Sequence, residues 1–195
     1  MEQKQYESRL KVPSLIVTCL VLLAPASVYS QTPFYQGKTI TIIQGRSPGG
    51  VGDMRVRAVI PLLQKYLPGK PTIVSEFMSG GGGRKAANHM YRQARPDGLT
   101  MANIGEGFVT NAVLGESGVQ YDVDKFIYLG SGNSRTNYVF HTVKEAKADT
   151  LERLRAATGI RIGGQEVGHS IYIVGRLFAW ILDLKEPKFV IGYSG

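Results

Sequence analysis

One order of elements recurs along this chain: a short apolar run, a glycine-rich turn, then a helix with an apolar stripe. Thr39-Ile40-Thr41-Ile42-Ile43 has the length and β-branched chemistry of a strand. Ser47-Pro48-Gly49-Gly50-Val51-Gly52-Asp53 follows as a turn. The spacing of Val56, Val59, Ile60, Leu63 and Leu67 then predicts a helix with Asp53 as its N-cap. Pro61 falls inside that pattern and is expected to bend the helix or loosen its middle, and Pro68-Gly69 to end it. The order repeats with a strand at Thr72-Ile73-Val74-Ser75, a turn over 79–83 and a helix over 84–93. It repeats again with a strand over 100–104, a turn over 105–107 and a short helix over 108–114. Strands that alternate with helices through short turns imply a parallel sheet with covering helices, the α/β class.

From Phe126 the texture changes. Phe126-Ile127-Tyr128-Leu129 and Tyr138-Val139-Phe140-His141-Thr142 read as strands separated by a polar stretch over 130–137. That stretch suggests a crossing between two lobes: residues 31–130 as the first lobe, and 131–195 as a hinge crossing and partial second lobe. Thr150 opens a helix running to Ala157, and Ile160-Arg161-Ile162 is a strand. A glycine turn covers 163–170, an apolar helix 171–184, and Phe189-Val190-Ile191 begins another strand. The sequence closes on Gly192-Tyr193-Ser194-Gly195, a turn of the kind that elsewhere leads into a helix. No fixed-period repeat is present.

Residues 1–30 read as a secretory leader. Lys4, Arg9 and Lys11 give a basic start, diluted by Glu2 and Glu7, and an apolar stretch over 15–23 precedes small residues that permit cleavage after Ser30 or Ala26. The alternative is a membrane anchor, but a span needs about 20 apolar residues, more than this stretch offers. Cys19, the single cysteine, lies inside that stretch. Thr18 before it and the apolar run after it fit lipoprotein processing poorly. Removal of the leader leaves a chain with neither disulfides nor Cys-based metal sites, which fits a bacterial periplasm.

Charge narrows the partners. The net charge is +8, and residues 1–30 carry +1 of it, leaving +7 for the rest. The basic residues are scattered, with no run longer than Arg84-Lys85, whereas a nucleic-acid binder needs a stripe or patch. A diffuse surplus instead suits the steering of small anions into a cleft. Many of the 24 glycines cluster after apolar runs, an arrangement that favours sites built from loops.

A glycine turn between a strand and a helix leaves main-chain N–H groups free at the helix N-terminus, where they and the helix dipole attract carboxylate or phosphate. Any single such turn also has an ordinary structural reading. Nucleotide motifs fail. Gly80 to Gly83 with Arg84-Lys85-Ala86 lacks the P-loop spacing, and Arg55 stands where a dinucleotide fingerprint wants Gly or Ala. The nucleophile-elbow spacing is absent at Gly192-Tyr193-Ser194-Gly195. His89, His141 and His169 lack ligand spacing: His89 reads as helix surface, His141 as a strand residue, and His169 sits in a glycine turn where it could meet a ligand. No catalytic constellation emerges, so an enzyme is the weaker class.

The ordered set of motifs resembles the Bug receptor family. It runs from Phe34-Tyr35-x-Gly37-Lys38-Thr39-Ile40-Thr41-Ile42 through Pro48-Gly49-Gly50-x-x-Asp53-x-x-x-Arg57 and Leu67-Pro68-Gly69-x-Pro71-Thr72-Ile73-Val74. Gly80 to Gly83 with Ala86-Ala87-Asn88, Pro96-Asp97-Gly98-x-Thr100, Tyr121-Asp122 and Phe126-Ile127-Tyr128-Leu129-Gly130-Ser131 continue it. That family is similar to the tricarboxylate-binding component of tripartite tricarboxylate transporters. The resemblance implies a two-lobed, type II periplasmic-binding-protein fold that closes around a small carboxylate and presents it to membrane permease subunits, without a cofactor. It implies a first anion turn containing Ser47, Pro48, Gly49, Gly50 and Asp53, joined by Gly81 and Gly82. The opposing lobe would offer Gly163, Gly168, His169 and Ser170, and Tyr193 with Ser194 and Gly195 a third wall. Amides of Gly49, Gly50 and Gly168 would hold carboxylate oxygens, and Ser170 would donate its hydroxyl while capping its helix. Asp53 has two readings, N-cap or partner for a ligand ammonium or hydroxyl, and Arg57 reads as a solvated residue or an anion clamp.

Two departures from the family pattern stand out. Gln165-Glu166 fill a turn that is usually richer in Gly and Ser, so the ligand is amphoteric or Glu166 faces away. Family members also run on well beyond residue 195, which implies a truncated frame or a fragment with uncovered apolar faces and strand edges, its own stability and binding in doubt. An exported α/β hydrolase or isomerase, and a non-functional receptor remnant, are the competing readings.

Overall fold

The computed structural model describes residues 32–131 and 137–193. The leader read in 1–30, Cys19, and the wall residues Ser194 and Gly195 lie outside them. Three parallel strands form the first sheet in the order β2–β1–β3: β1 (Thr39–Gln44), β2 (Thr72–Phe77) and β3 (Thr100–Asn103). The register sets Thr39 opposite Thr72 and Gln44 opposite Phe77 on one side, and Thr41 opposite Thr100 and Gln44 opposite Asn103 on the other. As the central strand, β1 is covered on both faces, which is why it reads as an apolar run rather than an alternation. Ile40 and Ile42 pack with Val56 and Ile73 on one face, while Ile43, 2% exposed, points to the other. Each such buried side chain contributes about 1.5–3 kcal/mol of hydrophobic stabilisation.

Helix α1 (Val51–Tyr66) follows β1, α2 (Arg84–Arg92) follows β2 through a 3-10 turn at Gly81–Gly83, and α3 (Gly107–Val113) follows β3. The expected N-cap is corrected: α1 begins at Val51 with Gly50 in the cap position, so Asp53 lies within the first turn. The helix runs unbroken through Pro61. Val56 below the proline and Ile60 and Leu63 around it pack on the sheet, which holds both halves in place despite the hydrogen bond a proline forfeits.

The second sheet pairs β4 (Arg161–Gly163) in parallel with β5 (Lys188–Val190), joined by α5 (Ser170–Ile181). Helix α4 (Leu151–Ala156) is capped by Thr150, whose side-chain oxygen accepts from the Arg153 amide. Ala148, Leu154, Ile162, Ala179 and Leu184 form the core here, with Phe140 and Phe189 against it. The described residues from Pro33 onward make one compact unit.

Two expected strands are absent: 126–129 and 138–142 are irregular. Among the described residues neither has a neighbouring strand, and an apolar run without a ladder partner cannot satisfy its backbone as a strand. Phe126 instead joins an aromatic cluster with Tyr91, Phe108, Tyr121 and Tyr128. His141, expected on a strand, is therefore in irregular chain. Helix α5 also stops at Ile181, short of Leu184.

Candidate functional site

Because β1, β2 and β3 run parallel, their three following turns emerge at one edge of the sheet, the place where open α/β sheets bind ligands. The first turn is anchored from below. Asp53, 1% exposed, accepts from the Gly49 amide at 2.9 Å, from Gln44 Nε2 at 2.9 Å and from Arg57 Nε at 3.0 Å. The Gly49 amide bond is the main reason its carboxyl lies below the usual aspartate value; burial opposes it, and Gln44 and Arg57 reinforce it. The Asp53 oxygens are thus engaged within the chain, and Arg57 is their ion-pair partner.

The second and third turns meet the turn before α5 through their backbones. Gly82, at φ 64, has no room for a side chain: a Cβ there would sit 2.0 Å from the Gly168 carbonyl oxygen. A Cβ on Gly107 would lie 2.7 Å from that same oxygen and 2.8 Å from the Gly82 oxygen. Asn111, fully buried on α3, donates from Nδ2 to the Gly81 carbonyl at 2.9 Å, while its Oδ1 has no hydrogen-bond partner among the described residues. Across this seam Glu166 Oε1 accepts from the Gly82 amide at 2.9 Å. A main-chain amide in a glycine turn thus holds a carboxylate, and the carboxylate belongs to the chain itself.

Beside the seam lies a polar cluster built from separate elements. Glu106, in the turn before α3, accepts a hydrogen bond from the Tyr138 hydroxyl and is within reach of the Ser170 hydroxyl. Burial pushes the Glu106 carboxyl up, but the bonds from Tyr138, its own main chain and Ser170, with His169 nearby, outweigh it and hold it below the usual glutamate value. The Tyr138 phenol is pushed up, by burial first and by Glu106 second, so it stays a donor at neutral pH. His169 is held below the ordinary histidine value, chiefly by burial, with Arg46 adding to the effect and Glu166 and Glu106 opposing it. Its Nδ1 accepts from the Ile171 amide at 3.2 Å, leaving Nε2 to carry the proton. Arg46, half-buried at the end of β1, is pulled below the usual arginine value by its burial, although Glu106 and Asp53 favour its charge. Its Nε is buried without a hydrogen-bond partner among the described residues. The guanidinium lies across Gly52, where an added Cβ would meet it at 1.5 Å.

Of the residues expected at the site, Gly81, Gly82, Gly168, His169 and Ser170 come together. Ser170 is buried, but it is His169 that occupies the cap position of α5, so the expected cap is corrected by one residue. Ser47, Pro48 and Gly49 are exposed at the first turn, with Gly50 partly covered. Gly163 faces the ring of Tyr193, which would stand 3.2 Å from a Cβ there. Two open hollows lie elsewhere: one of about 270 Å³ against Trp180 and Phe189, and one of about 700 Å³ along Lys144, Lys147 and Arg153. The second is walled by exposed lysines and the Asp149–Arg153 ion pair, which water screens. Converging buried polar groups mark the seam, not these hollows, as the candidate site. Sequence reasoning missed Arg46, Glu106, Tyr138 and Asn111. Only Glu106 carried a signal, its place between Gly105 and Gly107 in a strand–helix turn.

Three or more metal-ligating side chains do not gather anywhere among the described residues, and no described helix is long and apolar enough to cross a membrane. The described fold is parallel α/β, and it matches about half the length of two solved periplasmic proteins, in line with the class the resemblance implied. A solved structure described as that of a periplasmic transporter matches with a TM-score of 0.60 at 21% identity, covering 80% of this chain and 53% of its own. The periplasmic binding protein BugD matches with a TM-score of 0.51 at 18% identity, covering 79% of this chain and 53% of its own. The chain therefore spans about half the length of either solved structure. No protein-family profile matches it, and no curated protein does.

Proposed function

We propose that this chain captures a small carboxylate as a periplasmic solute-binding receptor, exported by a cleavable leader over 1–30 and serving the permease subunits of a tripartite tricarboxylate-type transporter. The observation that carries the reading is the 2.9 Å bond from the Gly82 amide to the Glu166 carboxylate, since a turn that holds one carboxylate has the donor geometry to hold another. The ligand contacts assigned are the turn of Ser47, Pro48, Gly49 and Gly50, braced from beneath by Asp53, the amides of Gly81 and Gly82, and Gly163, Gly168, His169, Ser170 and Tyr193 opposite. Positive charge at these turns comes from Arg84, whose guanidinium lies against Gly81, and from Arg46, whose guanidinium lies across Gly52. Both resembling structures named above are periplasmic transport or binding proteins.

A hydrolase or isomerase reading is less well supported, because His169 Nδ1 is taken by the Ile171 amide and is not free to act as a base toward a nucleophile. Thermal unfolding in the presence of succinate, citrate, aspartate and benzoate tests the receptor reading. A ligand at a hundred times its Kd stabilises by about 2.7 kcal/mol, and absence of a shift with every acid would remove the proposal.

A further inference from the structure

Resting on that reading, we infer that Glu166 is a built-in occupant of the anion site, a tethered carboxylate that an incoming acid must displace from the Gly82 amide. The two residues are 84 apart in sequence, and the contact spans the turn before α2 and the turn before α5. Local chain geometry does not force it. Gly82 is buried and left-handed, with its amide aimed at the opposing turn, and the Gly168 carbonyl closes over the position where any side chain would stand. Glu166 is only half-covered, so its carboxylate can swing out to solvent while the amide cannot move without the turn.

Two consequences distinguish this from an ordinary surface hydrogen bond. A free acid competes with a tethered carboxylate at high effective concentration, which weakens its apparent affinity by the fraction of time the amide is occupied. The tether also leaves a carboxylate charge at the seam, so an added dianion is penalised more than a monoanion. Glu166 therefore sets both the affinity threshold and the charge selection of the site.

The experiment compares the wild-type chain with E166A and E166Q. Titration with succinate and acetate gives affinities, and backbone amide NMR of Gly82 gives its chemical shift and hydrogen exchange without ligand. E166A is expected to bind succinate about tenfold more tightly, with a smaller gain for acetate, and to lose the downfield shift and slow exchange of Gly82. E166Q, neutral but still an acceptor, is expected to fall between. An unchanged Gly82 signal in E166A, or equal succinate affinity in all three proteins, would overturn the inference. Failure of every acid to bind any of the three, with the Gly82 signal altered in E166A, would remove the receptor reading and leave the contact itself established.

Discussion

Gln44, the last residue of β1, donates from Nε2 to Asp53 Oδ1 at 2.9 Å and so ties the end of the central strand to the first turn of α1. Both side chains are buried, and Gln44 also reaches Ser75 Oγ on β2 at 3.3 Å. The glycine turn between them is held from underneath by one carboxylate rather than by its own sequence.

Acid sensitivity follows from that carboxylate. Asp53 is held below its ordinary value in the folded chain, so the unfolded chain binds its proton first as pH falls. Its contribution is complete above about pH 4 and is lost as pH drops through the lower folded value. Urea unfolding from pH 7 to pH 2 should show this loss in the wild type, and D53N should be less stable at neutral pH with a flatter acid limb.

His169 acts in the same direction at higher pH. Because folding lowers its affinity for a proton, its contribution is full above about pH 6.5 and declines as pH falls from there through the lower folded value. The imidazole should titrate below 6.5 by NMR, and replacing Glu106 by Gln, which removes a neighbouring negative charge, should lower its midpoint further.

Glycine at position 82 is a packing requirement. G82A places a methyl against the Gly168 carbonyl in a left-handed residue, and the strained backbone alone costs about 1–2 kcal/mol. G105A has open space and ordinary φ, and should change stability by no more than about 0.5 kcal/mol. Denaturant midpoints of the two variants measure the contrast; equal values would mean that the seam between the turns does not form.

Core and irregular segments should separate as clearly. I43A removes a fully buried side chain from the central strand and should cost about 2–5 kcal/mol. I127A, at a residue 89% exposed in an expected strand that is irregular, should fall within about 0.5 kcal/mol of wild type. A large loss at Ile127 would show that this segment pairs with something in solution.

The first sheet was legible because its determinants are local. A β-branched run flanked by a glycine turn and an apolar stripe at helical spacing specifies strand, turn and helix from within about 30 residues, and alternation of the two leaves a parallel sheet as the way to bury both. The α/β class and the three strand–turn–helix units were therefore written in the sequence. Helix entry points were legible only to within one to three residues, as at Ser170 and Asp53, since a cap is chosen by competing hydrogen bonds at the junction.

Only the tertiary structure decided which of those turns meet and what fills them. Phe126 and Tyr138 begin runs of strand-like composition, yet they found no ladder partner and were drawn instead into an aromatic cluster and a bond to Glu106. Glu166 found the Gly82 amide, and Arg46 came to lie by Glu106 and His169. These contacts join residues far apart along the chain, and no local pattern encodes them, because their energies exist only once packing has removed water and fixed the distances between the groups.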